Sequence, residues 1–325
     1  MRTDKRIIVT GGAGFIGSAL VWRLNELGHE DILVVDRMDE TDKWKNLAPL
    51  KFADYIDADD FLDELDFHKD ADAVLHMGAC SSTTETDADY MIRNNYQYTR
   101  ELAEWSLANA NRFIYASSAA TYGDGSAGME DGTNQLNALR PLNVYGYSKQ
   151  LFDQYAARNK MFDHIVGLKY FNVFGPNENH KGDMRSLVNK AFDEINATGM
   201  VGLFKSASPE YKDGEFGRDF VYVKDAVDMT LHFLENDIGG LFNAGSGRVN
   251  TWNALAAAIF KAMEREPNIQ YIDMPEHLRD RYQYRTEANL TRLRGAGYTA
   301  ETTPLDESVA DYVRNYLIPR KHLGD

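Results

Sequence analysis

The chain carries one cysteine in 325 residues, Cys80, so no disulfide can form within it and a reducing compartment suits it. No apolar run reaches the roughly 18 residues that a membrane-spanning helix needs. Basic residues are in deficit, 35 against 50 acids, and the net charge of −15 disfavours nucleic acid and anionic membranes as partners. Internal repeats and low-complexity tracts are absent. Met1-Arg2-Thr3-Asp4-Lys5 leads into a strand with no signal-peptide apolar stretch. The expectation is a soluble, cytoplasmic chain of one or two domains, with no nucleic-acid or membrane partner.

What is present begins with Arg6-Ile7-Ile8-Val9-Thr10, a short β-branched run that reads as a buried strand. It enters Gly11-Gly12-Ala13-Gly14-Phe15-Ile16-Gly17 and then an amphipathic helix, Ser18 to Leu27, stopped by Gly28. Gly12, Gly14 and Gly17 match GxGxxG in a strand–turn–helix context, where helix amides can hold a pyrophosphate. A second strand, Asp31 to Asp36, places Asp36 19 residues after Gly17, where an acid grips the adenosine ribose. An acid there favours NAD. Arg37 and Lys43 point the other way as phosphate partners, or are solvated surface cations.

A third strand, Ala71 to His76, ends in Met77-Gly78-Ala79-Cys80-Ser81, small residues that suit a crevice where a cofactor lies against backbone. A fourth, Arg112 to Ala116, ends in Ser117-Ser118-Ala119-Ala120-Thr121-Tyr122-Gly123. Tyr145-Gly146-Tyr147-Ser148-Lys149 is a YxxxK pentapeptide, which puts Tyr145 and Lys149 on one helix face. An ammonium beside a phenol is expected to lower its pKa from about 10 toward neutrality. Such a phenol takes a proton from a carbinol while a nicotinamide takes the hydride.

Alternating strands and helices through about Phe171 predict an α/β fold with a Rossmann-type, doubly wound parallel sheet. Gly175 to Gly182 is a breaker-rich loop, followed by a predicted helix from about Met184 to Asn196 and a polar stretch from Lys205 to Gly217. At Arg218 to Val223 the earlier pattern resumes, with Val223 to Leu234 helical and Gly240 to Ala244 strand-like. The expected division is a dinucleotide-binding domain over 1–174 and 218–246, and a smaller C-terminal α/β substrate-binding lobe over 175–217 and 247–325.

Thr10 to Gly17, the Ser118 cluster and Tyr145-x-x-x-Lys149 together resemble the extended short-chain dehydrogenase/reductases that modify nucleotide sugars. Further segments resemble the ADP-L-glycero-D-manno-heptose 6-epimerases among them: Gly78-Ala79-Cys80-Ser81-Ser82-Thr83-Thr84-Glu85, Asn94-Asn95-Tyr96, Tyr170-Phe171-Asn172-Val173-Phe174-Gly175-Pro176, His180-Lys181-Gly182 and Arg218-Asp219-Phe220-Val221-Tyr222-Val223. The likeness runs along almost the whole chain.

That resemblance implies a tightly held NADP, with NAD as the alternative, and no metal. Cofactor contacts would come from Gly11, Gly12, Gly14, Phe15, Ile16, Gly17, Asp36, Arg37, Lys43, Met77, Gly78, Ala79, Cys80, Ser81, Asn94, Tyr145, Lys149 and Val173. Tyr145 and Lys181 would be the two proton carriers, Lys149 would orient the ribose and tune Tyr145, and Ser118 would bond the sugar oxygen. ADP-heptose would meet Ser118, Asn172, Lys181, Asp183, Lys190, Phe204, Arg218, Arg281 and Tyr282. A homo-oligomer, even a closed ring, is implied as well.

Departures fall at the edges of the substrate site. The stretches between Phe204 and Arg218 and between Gly123 and Pro141 are longer than the family's usual spacing. Asp183 stands where a small hydroxyl residue is common, and Lys190 where histidine is. Another nucleotide-sugar epimerase or dehydratase, such as a UDP-hexose 4-epimerase, is the nearest competing reading. A non-catalytic dinucleotide sensor on the same fold is the other.

Overall fold

The computed structural model describes residues 5–276 and 283–325. In its first half the strands are β1 (Ile7–Thr10), β2 (Ile32–Asp36), β3 (Asp54–Asp57), β4 (Ala73–His76), β5 (Arg112–Ser118) and β6 (Val166–Tyr170). Then follow β7 (Asn172–Phe174), β8 (Val201–Phe204), β9 (Gly217–Arg218), β10 (Phe220–Tyr222), β11 (Gly240–Ala244), β12 (Asn250–Thr251) and β13 (Ile269–Ile272). Seven of them make one all-parallel sheet in the order β11-β6-β5-β4-β1-β2-β3.

Apolar runs with no polar face account for this sheet, since a parallel sheet is covered on both sides. Along β1, Ile7 and Val9 pack into one core with Leu20 and Leu24 of helix α1 (Phe15–Glu26). Ile8 packs into the opposite core with Leu102 of helix α2 (Tyr98–Ala108) and Phe152 of helix α3 (Val144–Arg158). The chain winds outward from β1 through β2 to β3, then returns to β4 on the other side of β1. That reversal opens a crevice at the C-terminal ends of β1 and β4.

The return to the sheet at Gly240–Ala244 is found where the sequence places it, beside β6. Three details differ. Asp54–Asp57 is an additional strand, pairing β2 from Leu33↔Asp54 to Asp36↔Asp57. β5 continues to Ser118, so the hydroxyl cluster is part of the sheet. The helix expected from Met184 runs over Leu187–Thr198, because Ser186 caps it, accepting from Asn189 N at 3.3 Å, and Gly199 ends it in the left-handed region at φ 76°.

Later strands pair outside this sheet, β8 with β13 and β9 with β12. Asp219, fully buried, ties the segments after β11 to the strand region before β10. Its carboxylate accepts from Ser246 N at 2.6 Å, Ser246 Oγ at 2.8 Å, and Gly247 N and Ala288 N at 2.9 Å. Among the described residues no helix is long and apolar enough to cross a membrane.

Candidate functional site

The glycine loop is built for close backbone approach. A Cβ on Gly17 would stand 2.0 Å from Gly11 O, and one on Gly11, at φ +66°, would stand 2.6 Å from Gly78 N. Bare backbone at 11, 17 and 78 lets β1, α1 and the end of β4 meet around the crevice. Gly12 faces inward instead, its Cβ position 2.9 Å from Val34 Cγ1, and it lies off the cavity wall.

Asp36 is engaged more fully than a ribose-binding acid requires. Its carboxylate accepts from Ala13 N at 2.8 Å and Gly14 N at 3.1 Å, and also from Arg37 N at 2.8 Å and Lys43 Nζ at 3.0 Å. Lys43 is thereby held with its side chain 13% exposed, which excludes a solvated surface cation. Arg37 is fixed as well, donating to Asp59 at 2.8 Å and to Asn94 Oδ1 at 2.7 Å. Two cations therefore stand in the cavity wall beside Asp36.

Helix α3 delivers the YxxxK pair. Asn143 caps it, accepting from Gly146 N at 2.8 Å, and Gly146 presses against the turn that follows β5, where a Cβ would come 2.6 Å from Ala120 O. This contact sets the Tyr145 phenol beside the Ser118 hydroxyl. Burial raises the Tyr145 pKa above its ordinary value, with Ser118 working against that rise. The expected lowering by Lys149 is thus not the ruling effect here. Lys149 Nζ donates to Ala116 O at 2.7 Å, and burial pushes its own pKa down to about 8, opposed by Asp153.

Lys181 arrives from the loop Asn179–Met184. Its ammonium lies 5.2 Å from the centroid of the Phe15 ring. Burial lowers its pKa, and Glu178 opposes the change. Glu178 is fully buried under the loop and accepts from Ser186 N and Oγ, each at 2.6 Å. His180 is pushed down to about 4 by burial, then by Lys43 and Lys181, so it is neutral.

One cavity of about 1570 Å³ gathers these groups. Its wall includes Gly11, Gly14, Phe15, Ile16 and Gly17 of the loop, with Asp36, Arg37, Lys43, Asn94 and Met77 to Ser81. Ser118, Tyr145, Lys149, Asn172, Val173 and Lys181 line it farther along, and Lys190, Phe204 and Arg218 line its outer part. Asp183 does not: it is exposed, and its carbonyl accepts from Lys190 Nζ at 3.1 Å. Arg281 and Tyr282 lie outside the described residues. Sequence reasoning passed over Asp59, Glu178 and Trp252; of these, only Asp59, in the run Asp57-Ala58-Asp59-Asp60 after β3, offered any local signal. Among the described residues no group of three or more histidine, cysteine or acidic side chains is set to hold a metal.

The family model for the NAD-dependent epimerase/dehydratase family matches residues 7–245. The chain belongs to that family. A relative named ADP-L-glycero-D-manno-heptose-6-epimerase from Nitratidesulfovibrio vulgaris (strain Hildenborough) is 54% identical over 314 residues, 95% of this chain and 97% of the relative. One of the same name from Fusobacterium nucleatum is 48% identical, covering 96% and 98%. Among solved structures, the Helicobacter pylori ADP-L-glycero-D-manno-heptose-6-epimerase superposes with a TM-score of 0.82 at 28% identity, covering 97% and 99%. A UDP-N-acetylglucosamine 4-epimerase from Methanobrevibacter ruminantium reaches 0.83 at 23% identity over 98% and 100%, a likeness of fold.

The residues present fit the nicotinamide dinucleotide that this family uses. The bare Gly11–Gly14–Gly17 backbone and the start of α1 suit a pyrophosphate, and Asp36 with its two cations suits an adenosine ribose. The cavity continues from there to Tyr145.

Proposed function

We propose that this chain epimerises ADP-D-glycero-β-D-manno-heptose at C6 of the heptose, giving the L-glycero epimer for lipopolysaccharide core synthesis, with NADP held throughout. The observation that carries this reading is that Tyr145, beside Ser118, and Lys181, on the His180-Lys181-Gly182 loop, line one cavity, where they would serve as two separate proton carriers. The 54% and 48% identical relatives support the choice of ADP-heptose over a UDP-hexose.

A carbinol carbon is not acidic, so inversion by direct deprotonation is prohibitively hard. The bound dinucleotide supplies a reversible hydride store, which lets C6 pass through a ketone and be reduced from its other face. The chain's own residues do the rest. Ser118 orients the C6 oxygen, and Tyr145 takes its proton or returns it. With the ketone presented in its second pose, one fixed phenol cannot remain within the ~2.6–3.2 Å that proton transfer needs. Lys181, its proton loosened by burial, serves that pose.

Lys43 and Arg37 support NADP, because ammonium and guanidinium groups suit a 2′-phosphate. Asp36 supports NAD, yet its carboxylate is already spoken for by loop amides and Lys43. We further propose the division into 1–174 with 218–246 for the dinucleotide and 175–217 with 247–325 mainly for the sugar nucleotide, in a cytoplasmic homo-oligomer. Incubation with ADP-D-glycero-β-D-manno-heptose, with no dinucleotide added, tests the reading. Formation of the L-glycero product supports it, and turnover of UDP-hexoses alone contradicts it.

A further inference from the structure

Behind the Tyr145 helix lies a charged pair wholly removed from solvent. Asp153 of α3 and Lys169 of β6 are both 0% exposed, and Lys169 Nζ stands 2.8 Å from Asp153 Oδ2. Two apolar residues of similar size often hold a fold as well as a buried ion pair, because desolvating both charges is costly. Fold stability is therefore a poor reason for this pair, and its surroundings supply a better one.

Asp153 follows Lys149 by four residues and Tyr145 by eight, so the three share one helix face. Its carboxylate accepts from Tyr115 OH at 2.7 Å and Ser117 Oγ at 2.8 Å, both on β5. Lys149 reaches the residue between them, donating to Ala116 O at 2.7 Å. The helix is thus pinned to three consecutive residues of β5, and the next residue is Ser118. Lys169 closes the arrangement from β6, donating also to Thr121 Oγ1 at 2.5 Å and lying 4.8 Å from the Tyr122 ring centroid.

The geometry points to Asp153, with Lys169 as its buried counter-ion, as the positioning residue that keeps Lys149 an ammonium and holds Ser118 in register with Tyr145. The charged and titratable groups around Lys149 agree. From β4 comes His76, which burial pushes down to about 3, so it is neutral. From β5 comes Tyr115, which burial holds protonated. Tyr145 on the same helix is likewise protonated. Asp153 is the anion among them, and it acts to raise the Lys149 pKa against burial. Lys169 Nζ, 2.8 Å from Asp153 Oδ2, is the counter-ion of that carboxylate.

This rests on Lys149 belonging to the acid/base site, but the test need not rest on turnover. NMR titration of lysine side chains in the full chain, with the Lys149 signal assigned by its loss in Lys149→Arg, reads the Lys149 midpoint directly. Asp153→Asn alone strands Lys169 and endangers folding. The charge-neutral Asp153→Asn/Lys169→Met variant avoids this. In it the Lys149 midpoint should fall, by less than the roughly one pH unit that a single nearby charge gives, because the smaller opposing effect of Lys169 is removed together with that of Asp153. The matching limb of the pH–rate profile should move with it. An unchanged midpoint in the folded double variant overturns the proposal, as does a shift upward. Should the wild type fail to turn over ADP-heptose, the titration still reports on the pair, so the two failures stay distinguishable.

Discussion

The Lys181 ammonium stands 5.2 Å from the centroid of the Phe15 ring. Phe15 is the first residue of the helix that follows the glycine loop, so Lys181, the proposed second proton carrier, rests against the start of that helix. Asn46 reinforces the link, its Nδ2 lying 3.0 Å from Ala13 O and 3.2 Å from His180 Nδ1. The loop bearing Lys181 and the loop that suits a pyrophosphate are one packed unit.

Lys181→Met should block net epimerisation while the bound dinucleotide is retained. A truncated aldehyde analogue undergoing dismutation separates the two half-reactions. Tyr145 and Lys181 variants should impair different pairings of aldehyde and face. Normal epimerase turnover in Lys181→Met would remove this residue from the chemistry.

Tyr145→Phe keeps the ring and loses the proton carrier. Activity should drop by about 10²–10⁴-fold, the usual contribution of a general acid–base group. Circular dichroism and released-cofactor analysis should match wild type. Activity within a few-fold of wild type would refute the assignment.

In the proposed cycle the cofactor is regenerated at every turnover and has no need to exchange. Denaturing the purified protein should release one dinucleotide per chain, and mass analysis should identify it as NADP. Lys43→Ala should weaken its retention, since Lys43 Nζ is fixed at 3.0 Å from Asp36 Oδ1 beside the cavity. Finding only NAD would give the decision to Asp36.

Two histidines tie stability to pH. His76, 1% exposed, lies between Thr10 Oγ1 at 2.6 Å and Thr99 Oγ1 at 2.8 Å, and burial pushes it down to about 3. His180 is pushed down to about 4. The unfolded chain binds these protons below the ordinary value of 6.5 while the folded chain does not. Stability from both is therefore complete above that pH and declines as pH falls toward 4, by up to about 1.4 kcal/mol per pH unit for the fully buried His76. Melting temperatures of His180→Asn should fall less steeply over this window than those of wild type. Equal slopes would show that His180 titrates normally.

The glycine loop and the Tyr145–Lys149 pair are legible in sequence because each is a short, local pattern whose spacing maps directly onto a turn or a helix face. Strand β3 was not, since Asp54-Tyr55-Ile56-Asp57 has two apolar residues between two acids and takes its structure from β2. Glu178 under Lys181, and Lys169 against Asp153, join residues from different elements, and nothing local announces them. The Tyr145 shift was expected with the wrong sign for a related reason. Helical spacing puts Lys149 nearby, but the pKa depends on burial and on Ser118, which the fold supplies, while Lys149 Nζ goes to Ala116 O.

Transient oxidation with return of the same hydride is the centre of this account, and deuterium at C6 tests it most directly. ADP-D-glycero-β-D-manno-heptose carrying ²H at C6, converted in ordinary water, should give L-glycero product that retains the label at C6. Product whose C6 label has been lost to solvent would contradict it.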